Sequence, residues 1–93
     1  MLGGQSANTE INEISDACLA YLTADPEELA RFMQHTGLDA GDLRSAVGTE
    51  SLAYGMIDYF AQNEPALLAM CANAGFSAER FMRVYYRLNG DGV

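Results

Sequence analysis

Lysine and tryptophan are absent from this chain of 93 residues, and histidine occurs once. All five basic side chains are therefore arginines, and they face 13 acidic side chains, for a formal net charge of -8. The absence of lysine excludes Schiff-base catalysis and a phosphate-loop lysine. Because the acidic balance opposes contact with polyanions, we expect neither nucleic acid nor an anionic membrane surface as a partner.

Cysteine and long apolar runs are also scarce. Cys18 and Cys71 lie far apart among apolar neighbours, which predicts buried, reduced thiols. No segment approaches the roughly 18 consecutive apolar residues of a membrane span, and residues 1–9 lack the basic start and apolar stretch of a signal peptide. We therefore expect a cytoplasmic protein with no membrane partner.

Apolar residues make up 49% of the chain and recur in short periodic groups, which is typical of one folded domain at this length. Residues 1–8 carry no such pattern and are predicted to be a flexible N-terminal segment, with Asn8 or Thr9 as the first helix cap. The single all-helical domain is predicted to span residues 9–90, and residues 91–93 are predicted to fray.

Start and stop signals define the second helix most sharply. Asp25 is its predicted N-cap, Pro26 is its first helical residue, and Gly37 supplies a left-handed stop. Glu27 and Arg31 lie four residues apart on the exposed side, as in a helical ion pair. The predicted core-facing residues of this helix are Leu29, Phe32 and Met33.

Five further helices are predicted by the same criteria. They run from about Thr9 to Thr23, from Ala40 to Val47, from Glu50 to Gln62, from Asn63 to Gly75 and from Ser77 to Gly90. Val47 is predicted to face the core, and Gly55 is predicted to mark a close helix crossing. Residues 66–72 are apolar on nearly every side and predict an enclosed central helix. The expected fold is all-α, a compact orthogonal bundle of about six short helices.

A pattern of short segments runs from about Glu13 to Leu88. It consists of residues 20–29 (AYLTADPEEL), 31–32 (RF), 36–38 (TGL), 42–44 (DLR), 57–60 (IDYF), Glu64 and residues 67–71 (LLAMC). This pattern resembles a family of short bacterial proteins of unknown function, number 3572 among such families. The resemblance implies a single helical domain. Since the activity of the family is not established, the resemblance implies no catalytic or binding residue.

The best candidate site is an arginine stripe on the sixth helix. Arg80, Arg83 and Arg87 fall on one side of this helix, beside Met82 and Tyr86. Arginine, methionine and aromatic side chains together are typical of the centre of a protein interface. The preferred interpretation of the arginines alone is that they offset the helix dipole and pair with acidic residues of neighbouring helices, as surface arginines usually do.

Tyr54, on the fourth helix, is a further candidate residue for the interaction surface that the sixth helix carries. It lies one turn before Asp58 on a polar face, away from the predicted core residues. The leading hypothesis is a non-enzymatic interaction module whose exposed face, on the sixth helix with the fourth nearby, binds another protein or a second copy. The alternative is a small-molecule-binding or enzymatic bundle, which requires a polar-lined cavity.

Catalytic and metal sites have little support in the sequence. His35 is the one histidine, and neither Ser45 nor Ser51 has the sequence context of a nucleophile. A zinc site made of Cys18, His35 and Cys71 requires three helices to converge without any closely spaced pair of ligands. We therefore predict no catalytic residue, no cofactor and no metal ion.

Two acidic pairs, Glu27 with Glu28 and Asp39 with Asp42, contain the residue type used in general acid and base catalysis. Each pair lies at a predicted helix start, where a capping or first-turn charge stabilises the exposed backbone N–H groups. The structural role is therefore the preferred interpretation of both pairs.

A helix-turn-helix spacing is the remaining pattern of functional interest. It is formed by Met33, Gly37, Leu43 and Ala46. A DNA-reading helix at this position would begin with residues 39–42, which place two carboxylates where phosphates approach and leave Arg44 as its sole cation. Core packing is therefore the preferred explanation of this spacing, and a nucleic-acid-associated regulator is the disfavoured alternative.

We predict that the protein does not bind duplex DNA, because its net charge and its candidate reading helix both repel phosphate. An electrophoretic mobility-shift titration to low micromolar protein should leave the DNA unshifted. A shift that weakens as salt is added would contradict this expectation.

Overall fold

Six α-helices joined by turns of a few residues make up the fold. The computed structural model describes the backbone of residues 2–89 and the side chains of residues 9–89. The helices are α1 (Leu2–Ala24), α2 (Pro26–Thr36), α3 (Ala40–Ala46), α4 (Glu50–Ala61), α5 (Glu64–Ala74) and α6 (Ala78–Leu88). Residues 2–89 contain no β-strand, so the prediction of an all-α bundle of about six helices is confirmed.

The first helix begins earlier than predicted. α1 starts at Leu2 rather than at Thr9, so Asn8 and Thr9 are interior helix positions and not caps. Propagation of a helix adds one backbone hydrogen bond for each residue that is fixed, which allows α1 to extend through residues without an apolar stripe. The flexibility of residues 1–8 stays a prediction. Gly90 and residues 91–93 lie outside the described residues.

The second helix begins and ends as predicted. The Asp25 carboxylate accepts a hydrogen bond from the backbone N–H of Glu28 (3.2 Å), and Pro26 is the first helical residue. Gly37 has φ of 79°, and its N–H donates to the carbonyl of Met33 (2.8 Å). Glycine fits this left-handed position because it has no Cβ to clash with the backbone.

The third helix has the predicted start but a different end. Asp39 accepts a hydrogen bond from the backbone N–H of Asp42 (2.8 Å), and the Asp42 carboxylate accepts one from the backbone N–H of Asp39 (3.4 Å). The helix ends at Ala46, and the inward placement of Val47 is wrong because this side chain is 50% exposed. Val47 is extended and Gly48 has φ of 89°, so the chain leaves the helix before Val47 reaches the core.

The fourth helix is the centre of the bundle, since it contacts all five of the others. The helical spacing of Leu52, Met56, Tyr59 and Phe60 predicts that they share a core face, and all four are buried, together with Ala53 and Ile57. The prediction of a close helix crossing at Gly55 is wrong, because a Cβ built there would meet no heavy atom within 4 Å. The missing side chain instead leaves open space on the surface of α4.

The fifth helix is only half enclosed, which corrects the prediction for residues 66–72. Met70 and Cys71 are buried, but Leu68 is 51% exposed, and Ala69 and Ala72 are exposed as well. α5 packs against α1, α4 and α6. Three neighbours on one side leave its other face in contact with solvent.

The apolar core joins every helix except α3, which contributes no buried residue. The largest fully buried side chains are Phe32, Phe60, Phe81, Ile14, Leu22, Ile57, Met70, Val84 and Cys18. Burial of one such large apolar side chain contributes about 1.5–3 kcal/mol to folding. Ser77 caps α6 as predicted, accepting a hydrogen bond from the backbone N–H of Arg80 (3.1 Å), so the aromatic face of α6 enters this core in a fixed register.

A buried carboxylate connects α2 to α4. Glu28 is 6% exposed, and the Tyr59 hydroxyl donates a hydrogen bond to its Oε2 atom. Arg31 pairs with this residue (Nη1 to Oε1, 3.0 Å), not with Glu27 as the spacing predicts. Asn63 donates a further hydrogen bond to the Tyr59 oxygen (3.4 Å). Burial, together with the hydrogen bond and charge of Glu28, raises the pKa of Tyr59 to about 12.

Replacement of Tyr59 by phenylalanine should lower the free energy of unfolding at neutral pH by about 1–3 kcal/mol, because the buried Glu28 carboxylate loses a donor. The neutral Tyr59 phenol contributes fully to the stability of the folded state at pH values below about 10, which is the pH around which the tyrosine of the unfolded chain ionises. This contribution is lost as the pH rises through about 12. The Tyr59→Phe variant should therefore lose less stability than the parent across that alkaline window.

Urea unfolding followed by circular dichroism at a series of pH values measures both effects. Tyr59→Phe and parent curves that run parallel from neutral to alkaline pH would show that the hydroxyl does not make this contribution.

Candidate functional site

The arginine stripe on α6 is largely engaged within the protein. Arg80 pairs with Glu10 (Nε to Oε2, 3.3 Å) and with Glu13, and its guanidinium lies 5.6 Å from the ring centre of Phe76. Arg87 also pairs with Glu10 (Nη1 to Oε1, 3.2 Å). Burial alone would raise the pKa of Glu10, but the two arginines outweigh it and hold that pKa below its ordinary value. Two of the three arginines therefore hold α6 against α1.

The outer face of α6 carries the other predicted residues. Arg83 is exposed and pairs with no acidic side chain among residues 9–89. Tyr86 is 48% exposed, and its ring centre lies 5.6 Å from that of Tyr85. Met82 is partly buried and packs against the core. Arg83 and Tyr86 are thus the members of the predicted set on α6 that are most available to a partner.

Tyr54 lies between two grooves on the surface of α4. Its side chain is 43% exposed and lines both of them. The first groove, between α4 and α6, has a volume of about 280 Å³. Its lining consists of Tyr54, Gly55, Ile57, Asp58, Tyr85, Leu88 and Asn89. Gly55 contributes no side chain, which leaves this α4–α6 groove open beside Tyr54.

The second groove lies between α1 and the start of α4, with a volume of about 360 Å³. Its apolar lining includes Ile11, Leu19, Val47, Leu52 and Met56, and its polar lining includes Asn12, Ser15, Asp16, Thr49 and Glu50. The Ser15 hydroxyl donates to the carbonyl of Asn12 (3.2 Å), and the Thr49 hydroxyl donates to that of Ala46 (2.6 Å). These hydroxyls are therefore engaged by local backbone. We define the Tyr54 surface as Val47, Tyr54, Tyr85 and Tyr86 with the α1–α4 and α4–α6 grooves.

A third depression, on α2, shares no residue with the Tyr54 surface. It is shallow, has a volume of about 510 Å³ and is lined by Pro26, Leu29, Ala30, Met33, Gln34, Gly37, Leu38 and Asp39. It covers the turn of the predicted helix-turn-helix spacing. α3, the candidate reading helix, is seven residues long and packs mainly on α4, with Arg44 exposed beside the Asp39–Asp42 capping box. Leu43 and Ala46, the inward residues of that spacing, are partly buried against the core.

Comparison with known proteins places the chain in a family. Residues 8–91 match the family described as "Protein of unknown function (DUF3572)". The chain belongs to this family. The match covers nearly all of the described helices and confirms the resemblance seen in the sequence. No curated protein and no solved structure matches this family member.

Over the part of the chain that the structure describes, no helix combines the length and the apolar character that crossing a bilayer requires.

The thiols and the histidine lie in unrelated environments. Cys18 and Cys71 are both free and buried, and burial raises the pKa of each thiol, with Cys71 adding to the shift of Cys18. His35 is exposed near the end of α2, where its ring centre lies 5.4 Å from that of Tyr59. Within the described ranges, no three histidine, cysteine or acidic side chains come together as potential metal ligands. The three ligands considered from the sequence therefore do not converge.

The acidic pairs and the serines occupy helix starts and exposed positions. Asp39 and Asp42 form the capping box of α3, and Glu27 is exposed in the first turn of α2. Ser45 and Ser51 are exposed, and among residues 9–89 neither is hydrogen-bonded to His35. Glu28 is the exception, because it is buried against Tyr59.

The outward position of Val47 was missed by the sequence interpretation, although a signal for it was present. Thr49 caps α4 by accepting a hydrogen bond from the backbone N–H of Leu52 (3.2 Å). A threonine cap directly after glycine indicates a short connection between two helices around Gly48, and in the structure α3 ends at Ala46. Val47 then falls in the connection, where it lines the α1–α4 groove.

Both thiols should react slowly with Ellman's reagent in the native protein at mildly alkaline pH, because each is buried and its pKa is raised. Unfolding in guanidinium should expose both to rapid reaction. Absorbance at the wavelength of the released thiolate gives the number and rate of reacting groups. Immediate reaction of either thiol in native buffer would contradict the buried, inert assignment.

Proposed function

We propose that this protein is a non-enzymatic interaction module that binds another protein through the Tyr54 surface. The observation that carries the proposal is an exposed tyrosine, Tyr54, with an open groove on each side. Tyrosine presents a large, rigid ring at low conformational-entropy cost, which makes it frequent at interface hot spots. Grooves beside such a ring provide the pockets into which partner side chains fit.

The charge of the surface favours a different protein over a second copy. The chain carries a net charge of -8, and Asp16, Glu50 and Asp58 line the two grooves. Two copies that meet through this surface would bring these carboxylates together, and like charges that face each other oppose association. Tyr86 lies beside Tyr85 at the edge of the α4–α6 groove, where it adds contact area to a bound partner.

A small-molecule site in the α1–α4 groove is a second candidate. Its volume of about 360 Å³ falls within the range of about 300–1,000 Å³ that is usual for ligand pockets. The hydroxyls of Ser15 and Thr49 are bonded to nearby backbone carbonyls, and the remaining polar side chains, Asn12, Asp16 and Glu50, are exposed rather than enclosed around a ligand. The protein-binding proposal is favoured for that reason.

A cytoplasmic location and a bacterial origin belong to the same proposal. The location is supported by the two free thiols, since cysteines usually stay reduced in the cytosol. The origin is supported by the resemblance to bacterial proteins.

Gly55→Leu tests the surface with a variant that should keep its fold. Leucine is a stronger helix former than glycine, and a Cβ at this position meets no neighbouring atom, so the helix should not be weakened. The added side chain should obstruct the α4–α6 groove. In affinity purification from the native cell, the partner that co-purifies with the parent should be lost with Gly55→Leu.

Gly41→Leu is the matched control, because it adds the same side chain to α3, outside both grooves. Calorimetry with the purified partner should show that Tyr54→Ala weakens binding by about 2 kcal/mol, the magnitude of an interface hot spot. If the partner binds Gly55→Leu and Tyr54→Ala as well as it binds the parent, the Tyr54 surface is not the docking site.

A further inference from the structure

We propose that the Tyr54 surface recognises a positively charged, amphipathic segment of its partner, with lysine or arginine side chains flanking apolar ones. The inference rests on the proposed function and specifies the chemistry of the partner. It is carried by the charges that line the two grooves, by the exposed tyrosines and by the apolar groups beside them.

All charged side chains that line the two grooves are acidic. Asp16 and Glu50 line the α1–α4 groove, and Asp58 lines the α4–α6 groove. Asp16 and Glu50 form no ion pair with any residue from 9 to 89. Asp58 accepts a hydrogen bond from the neutral Gln62 amide (2.9 Å), and no basic side chain among residues 9–89 pairs with it. A cationic partner would neutralise charges that this part of the chain leaves unbalanced.

The arginines of the chain do not supply that compensation. Arg31, Arg80 and Arg87 are engaged with Glu28, Glu10 and Glu13, and none of the five arginines lines either groove. The net charge of -8 extends the attraction beyond the contact itself. Electrostatic complementarity of this kind raises the association rate and selects against acidic partners.

The tyrosines provide a second mode of cation recognition. Tyr54 and Tyr85 both line the α4–α6 groove, and Tyr54 is 43% exposed. The face of an aromatic ring attracts a guanidinium or ammonium group. The last turn of α6 reaches the same groove at Leu88 and Asn89, and a helix C-terminus carries a partial negative charge. A basic side chain in this groove therefore meets three sources of favourable electrostatics: the tyrosine rings, the C-terminus of α6 and the Asp58 carboxylate.

The apolar lining of the grooves favours a peptide over a simple cation as the ligand of this surface. Val47 is 50% exposed at the α1–α4 groove, where Ile11 and Leu19 also contribute apolar surface. Polyamines and metal ions would leave this surface uncovered. A segment that lies across Tyr54 can place apolar side chains in the α1–α4 groove and a basic side chain in the α4–α6 groove. Amphipathic segments that bind apolar grooves are a common mode of peptide recognition.

Two synthetic peptides test the inference directly. Each is an amphipathic helix of about four turns with the same leucine face and one tryptophan, and the polar face is lysine in one and glutamate in the other. Because the protein contains no tryptophan, the fluorescence of the peptide reports binding without background. The lysine peptide should bind in a salt-sensitive way, and the glutamate peptide should show no binding.

Matched variants distinguish an effect of the groove carboxylates from an effect of the overall net charge. Asp16→Asn with Asp58→Asn should weaken binding of the lysine peptide about tenfold, which is close to the sum of two surface ion pairs. Glu27→Gln with Glu79→Gln removes the same charge from exposed positions outside both grooves and should have little effect. Gly55→Leu should weaken binding while its helical circular dichroism is retained.

Three outcomes would overturn the inference: equal binding of both peptides, an equal effect of the two double variants, and binding that Gly55→Leu leaves unchanged. Sedimentation that shows a dimer dissociated by Gly55→Leu would assign the surface to a second copy instead. The native partner distinguishes the inference from the proposed function. If this partner is lost with Gly55→Leu but binds the Asp16→Asn, Asp58→Asn variant normally, the Tyr54 surface is still the docking site, but it does not select a basic segment.

Discussion

Burial of the apolar face of α4 is the constraint on which the rest of the structure depends. α4 contacts all five other helices, and its Ile57 and Phe60 side chains are among the most completely buried in the protein. Each neighbouring helix removes part of this face from water, so its docking is favoured by the same apolar surface. Because the inner side of α4 is used in packing, the part of this helix that is open to solvent is its outer side, where Tyr54 and Gly55 lie.

Much of the fold follows from local chemistry that is visible in the sequence. Asp25, Asp39 and Ser77 cap their helices through hydrogen bonds to backbone N–H groups three residues later, as their positions predict. Such caps depend on a few neighbouring residues and need no knowledge of the remaining chain. The start of α1 could not be predicted in this way, since helix propagation through residues 2–8 leaves no cap or stripe as a signal.

Features that depend on the packing of distant segments were harder to predict. Glu28 looks like an ordinary first-turn acid, and its burial becomes evident only when Tyr59, 31 residues later, is brought against it. The exposed face of α5 has the same cause, because an apolar sequence does not reveal how many neighbours a helix will have. For the candidate site, the sequence indicated Tyr54, Arg83 and Tyr86. It also favoured pairing of the stripe arginines with acidic residues of neighbouring helices, as Arg80 and Arg87 do, but it did not identify α1 as that neighbour or show that Gly55 leaves a groove.

The ion pair between Glu10 and Arg87 brings together residues that lie near opposite ends of the described chain, with 3.2 Å between their charged atoms. Arg80 binds the same Glu10 carboxylate, so one acidic side chain of α1 holds α6 at two positions that lie two helical turns apart. The first and last helices cannot separate without removing both arginines from this partly buried carboxylate. The two ends of the bundle should therefore open together rather than one at a time.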